Sequence, residues 1–262
     1  MGDSRWLFVF VLGTAGCRIA VGEQPRPSEA SVATTQSAEQ DDWAAGRLPP
    51  TDPLAVPRRG GRVVVQITSD PPSLNPIVDS DWTASRIVLH RLYQSLIKDD
   101  PRDAPRYRMV PELAERWEVS PDGKSYTFHL RRDVRWHDGH PFTAQDVIAT
   151  FDKVQDPQTK ALHLRSYTRD LSSYRALDDF TVRFELTQPY FLSLDGIFAS
   201  VPIQPAHVLR GLTGAQYNDA STNPLNRHPI GTGPFRFVEW QAGQRIVLER
   251  FEHYWGRSPW LD

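Results

Sequence analysis

Apolar and polar residues alternate most clearly between Trp117 and Val154, WEVSPDGKSYTFHLRRDVRWHDGHPFTAQDVIATFDKV. Trp117 and Val119 alternate with polar neighbours. Pro121-Asp122-Gly123 then supplies a turn, because Pro presets φ and Gly accepts positive φ. Beyond it Tyr126, Phe128 and Leu130 point one way, and Thr127 and His129 the other. This period of two predicts a hairpin with one buried face. Val134 and Trp136 read as a third short strand that ends in a turn at His137-Asp138-Gly139. Pro141 blocks any earlier helix. Thr143 with Asp146 three residues on resembles a capping box, with Asp in place of Glu or Gln. Val147, Ile148, Phe151 and Val154 follow at helical spacing. The stretch is a scaffold with no obvious catalytic group.

The flanking pattern is less regular. Val63, Val64, Val65 and Ile67 form a near-continuous apolar run, which predicts a central strand covered on both faces. Thr68 to Pro76 contains three prolines and an Asn-Pro step, and reads as a rigid loop. Ile87, Val88, Leu89, Leu92, Leu96 and Ile97 predict a helix ending near Lys98-Asp99-Asp100-Pro101. Leu171–Leu177 and Thr181–Leu186 read as strands joined at Asp178-Asp179, with Val182, Phe184 and Leu186 on one face. Short helices are expected around Phe191–Phe198 and over Ala206–Leu212, and residues 213–228 read as a polar loop. Phe235–Trp240 and Arg245–Phe251 form a hairpin around Ala242-Gly243. Strands and helices alternate irregularly, so the expected class is mixed α/β (α+β).

Composition removes several function classes. A net charge of −2 leaves no electrostatic footprint for nucleic acid. The lone cysteine, Cys17, permits neither an internal disulfide nor a cysteine zinc site. No Gly-x-Ser-x-Gly elbow supports a hydrolase. His137-Asp138-Gly139-His140 carries two imidazoles and a carboxylate, yet it lies on a turn and no third ligand is dictated, so it reads as structural and no metal site is assigned. Gly231-Thr232-Gly233 lacks the Lys-Ser/Thr ending of a phosphate loop, and Pro234 removes an N–H; it reads as tight backbone packing. The pairs Asp99-Asp100 and Asp178-Asp179 read as solvated turn carboxylates. Eight tryptophans suit either a ligand cleft or a core.

The order Leu113-Ala114-Glu115-x-Trp117, Asp122-Gly123, Tyr126-Thr127-Phe128-x-Leu130-Arg131 and Val134-x-Trp136-His137-Asp138-Gly139-x-Pro141-Phe142-Thr143-Ala144-x-Asp146-Val147 closely resembles the extracellular solute-binding proteins of family 5. These are the peptide-, dipeptide- and nickel-binding components of ABC importers. The resemblance implies a periplasmic-binding-protein-like lobe with an extra small subdomain, in a two-lobed protein that closes on its ligand like a hinge. It implies capture of a peptide or similar small solute, delivery to ABC permease subunits in the membrane, and neither enzymatic chemistry nor a cofactor. Ligand-facing candidates are Asp81, which would hold a positive group such as a peptide amine or else cap a helix, and Trp82, a cleft wall or a core residue. Tyr167 lies where peptide binders of the family place ligand-facing aromatics. Ser73 and Asn75 shape the Pro-rich loop. Family members usually run to about twice this length, so residues 60–262 correspond to the N-terminal part of the domain, with the second lobe missing. The alternative function is a truncated cell-surface interaction protein that has lost transport.

The N-terminus fits export. Arg5, an apolar run from Trp6 to Leu12 too short to span a bilayer, and small residues up to Gly16 read as a signal peptide over residues 1–17. Ala15-Gly16-Cys17 resembles the end of a bacterial lipobox, making Cys17 a lipidation site and lipid anchor, although Thr14 stands where Leu is usual. Ordinary cleavage near Ala15 is the rival. Residues 18–59 are rich in Pro, Ser, Thr, Ala and Gln without a sustained period, and read as a disordered linker. The expected location is periplasmic or cell-surface.

Overall fold

The computed structural model describes residues 8–12, 59–100 and 108–262. Apart from Arg59 they belong to one compact unit. Strands β1 (Phe8–Leu12) and β2 (Val64–Ile67) join a C-terminal hairpin, β9 (Phe235–Gln241) and β10 (Arg245–Arg250), in a sheet of order β2-β1-β10-β9. Strands β3 (Ile97–Asp99) and β4 (Met109–Pro111) form a two-stranded sheet. Strands β5 (Ala114–Val119), β6 (Ser125–Leu130), β7 (Leu171–Asp178) and β8 (Thr181–Leu186) form an antiparallel sheet of order β5-β6-β8-β7. Helices and sheets are mixed within the unit, as the α+β reading requires.

The alternation in β6 does what its period predicts. Tyr126, Phe128 and Leu130 are buried, and Thr127 and His129 are not. Across the ladder Tyr126 faces Phe184 and Phe128 faces Val182, so two alternating strands present one apolar face. Gly123 closes the β5–β6 turn at φ 68°, a conformation an L side chain adopts with strain. Helix Ala144–Gln155 covers this face with Val147, Phe151 and Val154 buried, and Ile148 at the margin. Its N-terminus carries the expected box: the Thr143 N–H donates to Asp146 Oδ2 at 2.8 Å. Asp146 Oδ1 accepts the Ala206 N–H at 2.7 Å, so the same carboxylate anchors the short helix Ala206–Leu209. Phe128 sits amid Phe184 and Phe198, with ring centroids 5.8 and 4.6 Å away. A second, smaller core of Ile67, Leu74, Ile87, Val88, Leu92, Tyr93, Phe235, Ile246 and Leu248 lies against the first sheet.

Several expectations are corrected. The Val63–Ile67 run is not doubly covered: β2 is an edge strand among the described residues, with Val63 40% and Val64 52% exposed. A short apolar run marks a strand without saying how many faces are covered. The helix read through Leu96 and Ile97 stops early, spanning Trp82–Val88. His90 takes φ 61°, the chain turns, and Ile97 enters β3. Val134 and Trp136 are buried, but between them lies only an isolated bridge, Arg135 to Pro141, rather than a strand. Residues 213–228 are not a loop. They contain helix Gly214–Asn218 and a 3-10 turn at Pro224–Asn226, and they bury Tyr217, Asn223, Leu225 and Asn226. The helix expected near Phe191–Phe198 is a π-helical segment, Ser193–Ala199, with Phe191 outside it and exposed. Asp100 is buried and paired with Arg108 at 3.4 Å rather than solvated.

The backbone of Phe8–Leu12 runs parallel to β2 and antiparallel to β10. An apolar run of this length suits an export leader and an inner strand equally. Cys17 and residues 18–58 lie outside the described residues.

Candidate functional site

The Pro-rich loop after β2 is held at three places far apart in sequence. At its start, Asp70 accepts the Trp240 Nε1–H at 3.1 Å and the Gly243 N–H at 2.5 Å, tying it to the β9–β10 hairpin. In the middle, Asn75 is fully buried. Its Nδ2 donates to Asn226 Oδ1 at 2.9 Å, and its Oδ1 accepts Ile77 N–H at 3.1 Å and Gln204 Nε2–H at 2.7 Å. Tyr217 donates its single hydroxyl proton to Gln204 Oε1 at 2.5 Å, and burial raises its pKa. Ser73 Oγ accepts the Asn75 N–H at 3.0 Å. Ser73 and Asn75 therefore shape the loop, as the sequence suggests. At the third place His163 Nε2 donates to the Pro76 carbonyl at 3.2 Å, docking helix Leu162–Thr168 onto the loop.

The loop leads into Asp81 and helix Trp82–Val88, and touches the helix that carries Tyr167. Asp81 Oδ1 accepts the Ala84 N–H at 3.0 Å, so Asp81 caps helix Trp82–Val88. Trp82 is the first residue of that helix, and its side chain lies outside the described residues. Tyr167 is 45% exposed, one turn beyond His163 on the helix that touches the loop, and it packs over Gly196. Gln204, Tyr217, Asn226 and His163 escaped the sequence reading. The one signal for them was Thr213-x-x-Gln216, a capping box that the structure forms, with Thr213 Oγ1 accepting the Gln216 N–H at 3.2 Å.

A cavity of about 620 Å³ opens just beyond the C-terminal end of helix Trp82–Val88, lined by Leu89, His90, Tyr93, Ser95, Lys98, Asp99, Asp195, Ala199 and Ser200. Such a volume is in the range of small-ligand sites. Partial desolvation, and then the nearby charge of Asp195, hold the Asp99 carboxyl above its usual range. Below the rim, buried Glu112 accepts the Ser95 N–H at 2.9 Å and pairs with Lys98 at 3.5 Å. Gln94 ties this floor to the C-terminal segment, accepting the Trp255 Nε1–H at 2.9 Å.

His137 is part of the scaffold. Its Nδ1 accepts the Gly231 N–H at 3.1 Å, so its Nε2 must carry the proton that it donates to Gly233 O at 3.0 Å. Only the neutral imidazole satisfies both bonds, and burial lowers its pKa to about 4. Gly231 and Gly233 pass so close to the chain that a Cβ would lie 1.7 Å from Leu92 O and 2.3 Å from Arg91 O. The Gly-Thr-Gly segment is therefore a close-packing element.

Comparison with known proteins places this geometry among binding proteins. The family model "Bacterial extracellular solute-binding proteins, family 5 Middle" matches residues 108–262. A dipeptide-binding protein of Escherichia coli (strain K12) is 34% identical over 59% of this chain and 31% of its own length. The peptide transport periplasmic protein SapA of Salmonella typhimurium is 34% identical over 71% of this chain and 36% of its own. The structure of the oligopeptide-binding protein AppA from Bacillus subtilis, in complex with a nonapeptide, superposes with a TM-score of 0.69 at 31% identity, covering 79% of this chain and 40% of that one. The chain thus spans roughly a third of the length of the curated relatives it matches.

Proposed function

Since this chain belongs to the bacterial extracellular solute-binding proteins of family 5, we propose that it is the substrate-binding component of an ABC importer, capturing peptides or a similar small solute outside the cytoplasmic membrane. The observation that carries this reading is the Asn75-centred lock. It fixes the Pro-rich loop that leads into Asp81 and helix Trp82–Val88, and the same loop receives the helix that carries Tyr167. A preorganised wall loses less entropy on binding than a mobile one. Trp82 and Tyr167 supply apolar wall, and Asp81 supplies charge for a ligand amine while it caps the helix. The proposed mechanism is capture without covalent chemistry, followed by handover to membrane permease subunits. Export with lipidation at Cys17 would hold the protein at the membrane; no helix among the described residues is long and apolar enough to cross one.

The test is a thermal-shift panel of di- to nonapeptides, sugars and metal chelates. Saturating a binder at 100 times its Kd raises stability by about 2.7 kcal/mol. Peptides should raise Tm in the wild type. Trp82→Ala and Tyr167→Ala should lose that shift while keeping their unliganded Tm. Asp81→Asn keeps the cap acceptor and removes the charge, so it should weaken binding of peptides with a free amine more than N-acetylated ones. No shift with any panel member would sink the importer reading.

A further inference from the structure

The turn after Trp136 meets a residue the hairpin pattern could not anticipate. His207, in helix Ala206–Leu209, places Nε2 2.6 Å from Asp138 Oδ2. His140 places Nδ1 3.2 Å from Asp138 Oδ1. The two imidazoles stack with centroids 4.0 Å apart and planes inclined at 23°. One donor atom from each of the three residues lies within 4.8 Å of the others. The group is accessible: the His140 side chain is 58% exposed, and those of His207 and Asp138 are 29% and 27% exposed.

We propose that Asp138, His140 and His207 form a binding site for a late first-row divalent ion of the Zn²⁺ or Ni²⁺ class. Two imidazole nitrogens and one carboxylate oxygen are borderline ligands that suit these ions and not Mg²⁺ or Ca²⁺, which take oxygen ligands. Ligands about 2.05 Å from a tetrahedral ion are about 3.4 Å apart. His207 Nε2 lies 2.6 Å from Asp138 Oδ2, His140 Nδ1 lies 3.2 Å from Asp138 Oδ1, and one atom from each residue lies within 4.8 Å of the others, so side-chain rotations of an ångström or so would bring the set onto one ion. The frame is already built. Asp146 Oδ1 holds the Ala206 N–H at 2.7 Å, beside His207, and the His140 N–H reaches Asp138 Oδ1 at 3.3 Å. Arg135, the nearest cation on the turn, is engaged by the Gly139 carbonyl at 3.1 Å. Three protein ligands leave coordination positions open to water or to a group brought by another molecule. None of its three ligands bonds to Asn75, and the solute-binding reading does not depend on it.

The experiment is calorimetric titration of the untagged full chain, stripped with EDTA, with ZnCl₂ and separately with NiCl₂. One saturable equivalent is expected. His140→Ala and His207→Ala should each weaken it about tenfold or more, since loss of even an outer-shell partner of a metal ligand costs about 10–100-fold. His129→Ala, which removes an imidazole bonded to Glu118 on another strand, should bind as the wild type does. His207→Ala also removes a hydrogen bond that pins a helix, so the deciding variant is the exposed His140→Ala, with its Tm measured alongside. An unchanged Tm with lost binding supports the site. Wild-type affinity in a folded His140→Ala, or no saturable equivalent in the wild type, overturns it. Peptide-induced thermal shifts should be the same in all variants, which separates this outcome from the importer test.

Discussion

Asn75→Ala should unlock the Pro-rich loop at a cost legible in the bonds it removes. The side chain is fully buried and satisfies Ile77 N–H, one Gln204 Nε2–H and Asn226 Oδ1. Truncation leaves these three groups without that partner. Each unsatisfied buried polar group costs about 1–3 kcal/mol, and partial relaxation or a water in the vacated space recovers some of it. A net loss of about 2–5 kcal/mol follows. For a domain of this size each kcal/mol moves Tm by about 2–4 °C, so Tm should fall by roughly 4–20 °C in differential scanning fluorimetry. Gln204→Ala removes one of the same bonds. The double variant should therefore lose less than the two singles summed, by at least about 0.5 kcal/mol, in urea denaturation. A melting point for Asn75→Ala within about 2 °C of wild type, or strictly additive singles, would refute the view that Asn75 organises the loop.

Gly231→Ala places a methyl 1.7 Å from Leu92 O, a backbone atom that cannot swing away, so it should yield little folded protein by circular dichroism, while Gly211→Ala, with open space around it and only the strain of φ 82° to bear, should fold. His137 titrates near pH 4 in the folded state against about 6.5 unfolded, so the unfolded chain binds more protons between these values. Its contribution is fully present above pH 6.5 and is lost as pH falls towards 4. It amounts to about 3 kcal/mol over that window. Urea midpoints at pH 7 and pH 4.5 should show this loss in the wild type and a shallower one in His137→Gln. Phe128→Ala, at the centre of the aromatic cluster, should cost about 3–5 kcal/mol by chemical denaturation.

Local chemistry was legible wherever neighbours in sequence decide the outcome. The β5–β6 hairpin, the Thr143–Asp146 box and the Val147–Phe151–Val154 stripe came from period, turn residues and caps, and the structure forms all three. The Gly-Thr-Gly reading held because glycine at such a place signals crowding, although which carbonyls crowd it was invisible. Where two readings share one pattern, the sequence stopped short. Leu96 and Ile97 fit a helix stripe as well as a strand, and a single left-handed residue at His90 decided between them. Residues 213–228 looked polar in part because Asn223 and Asn226 serve buried hydrogen bonds, and polarity alone cannot separate a solvated loop from a satisfied interior network.

By itself the sequence determined the β5–β6 hairpin, helix Ala144–Gln155, their apolar faces and the family pattern from Leu113 to Val147, because each depends on residues within a turn or two of one another. Only the tertiary structure decided the partners. It brought Asn226 to Asn75 across 151 residues, His163 to Pro76 across 87, and His207 to Asp138 across 69. A buried polar group must find a partner, but the chain supplies many of equal chemistry, and only packing selects which one lies within 3 Å.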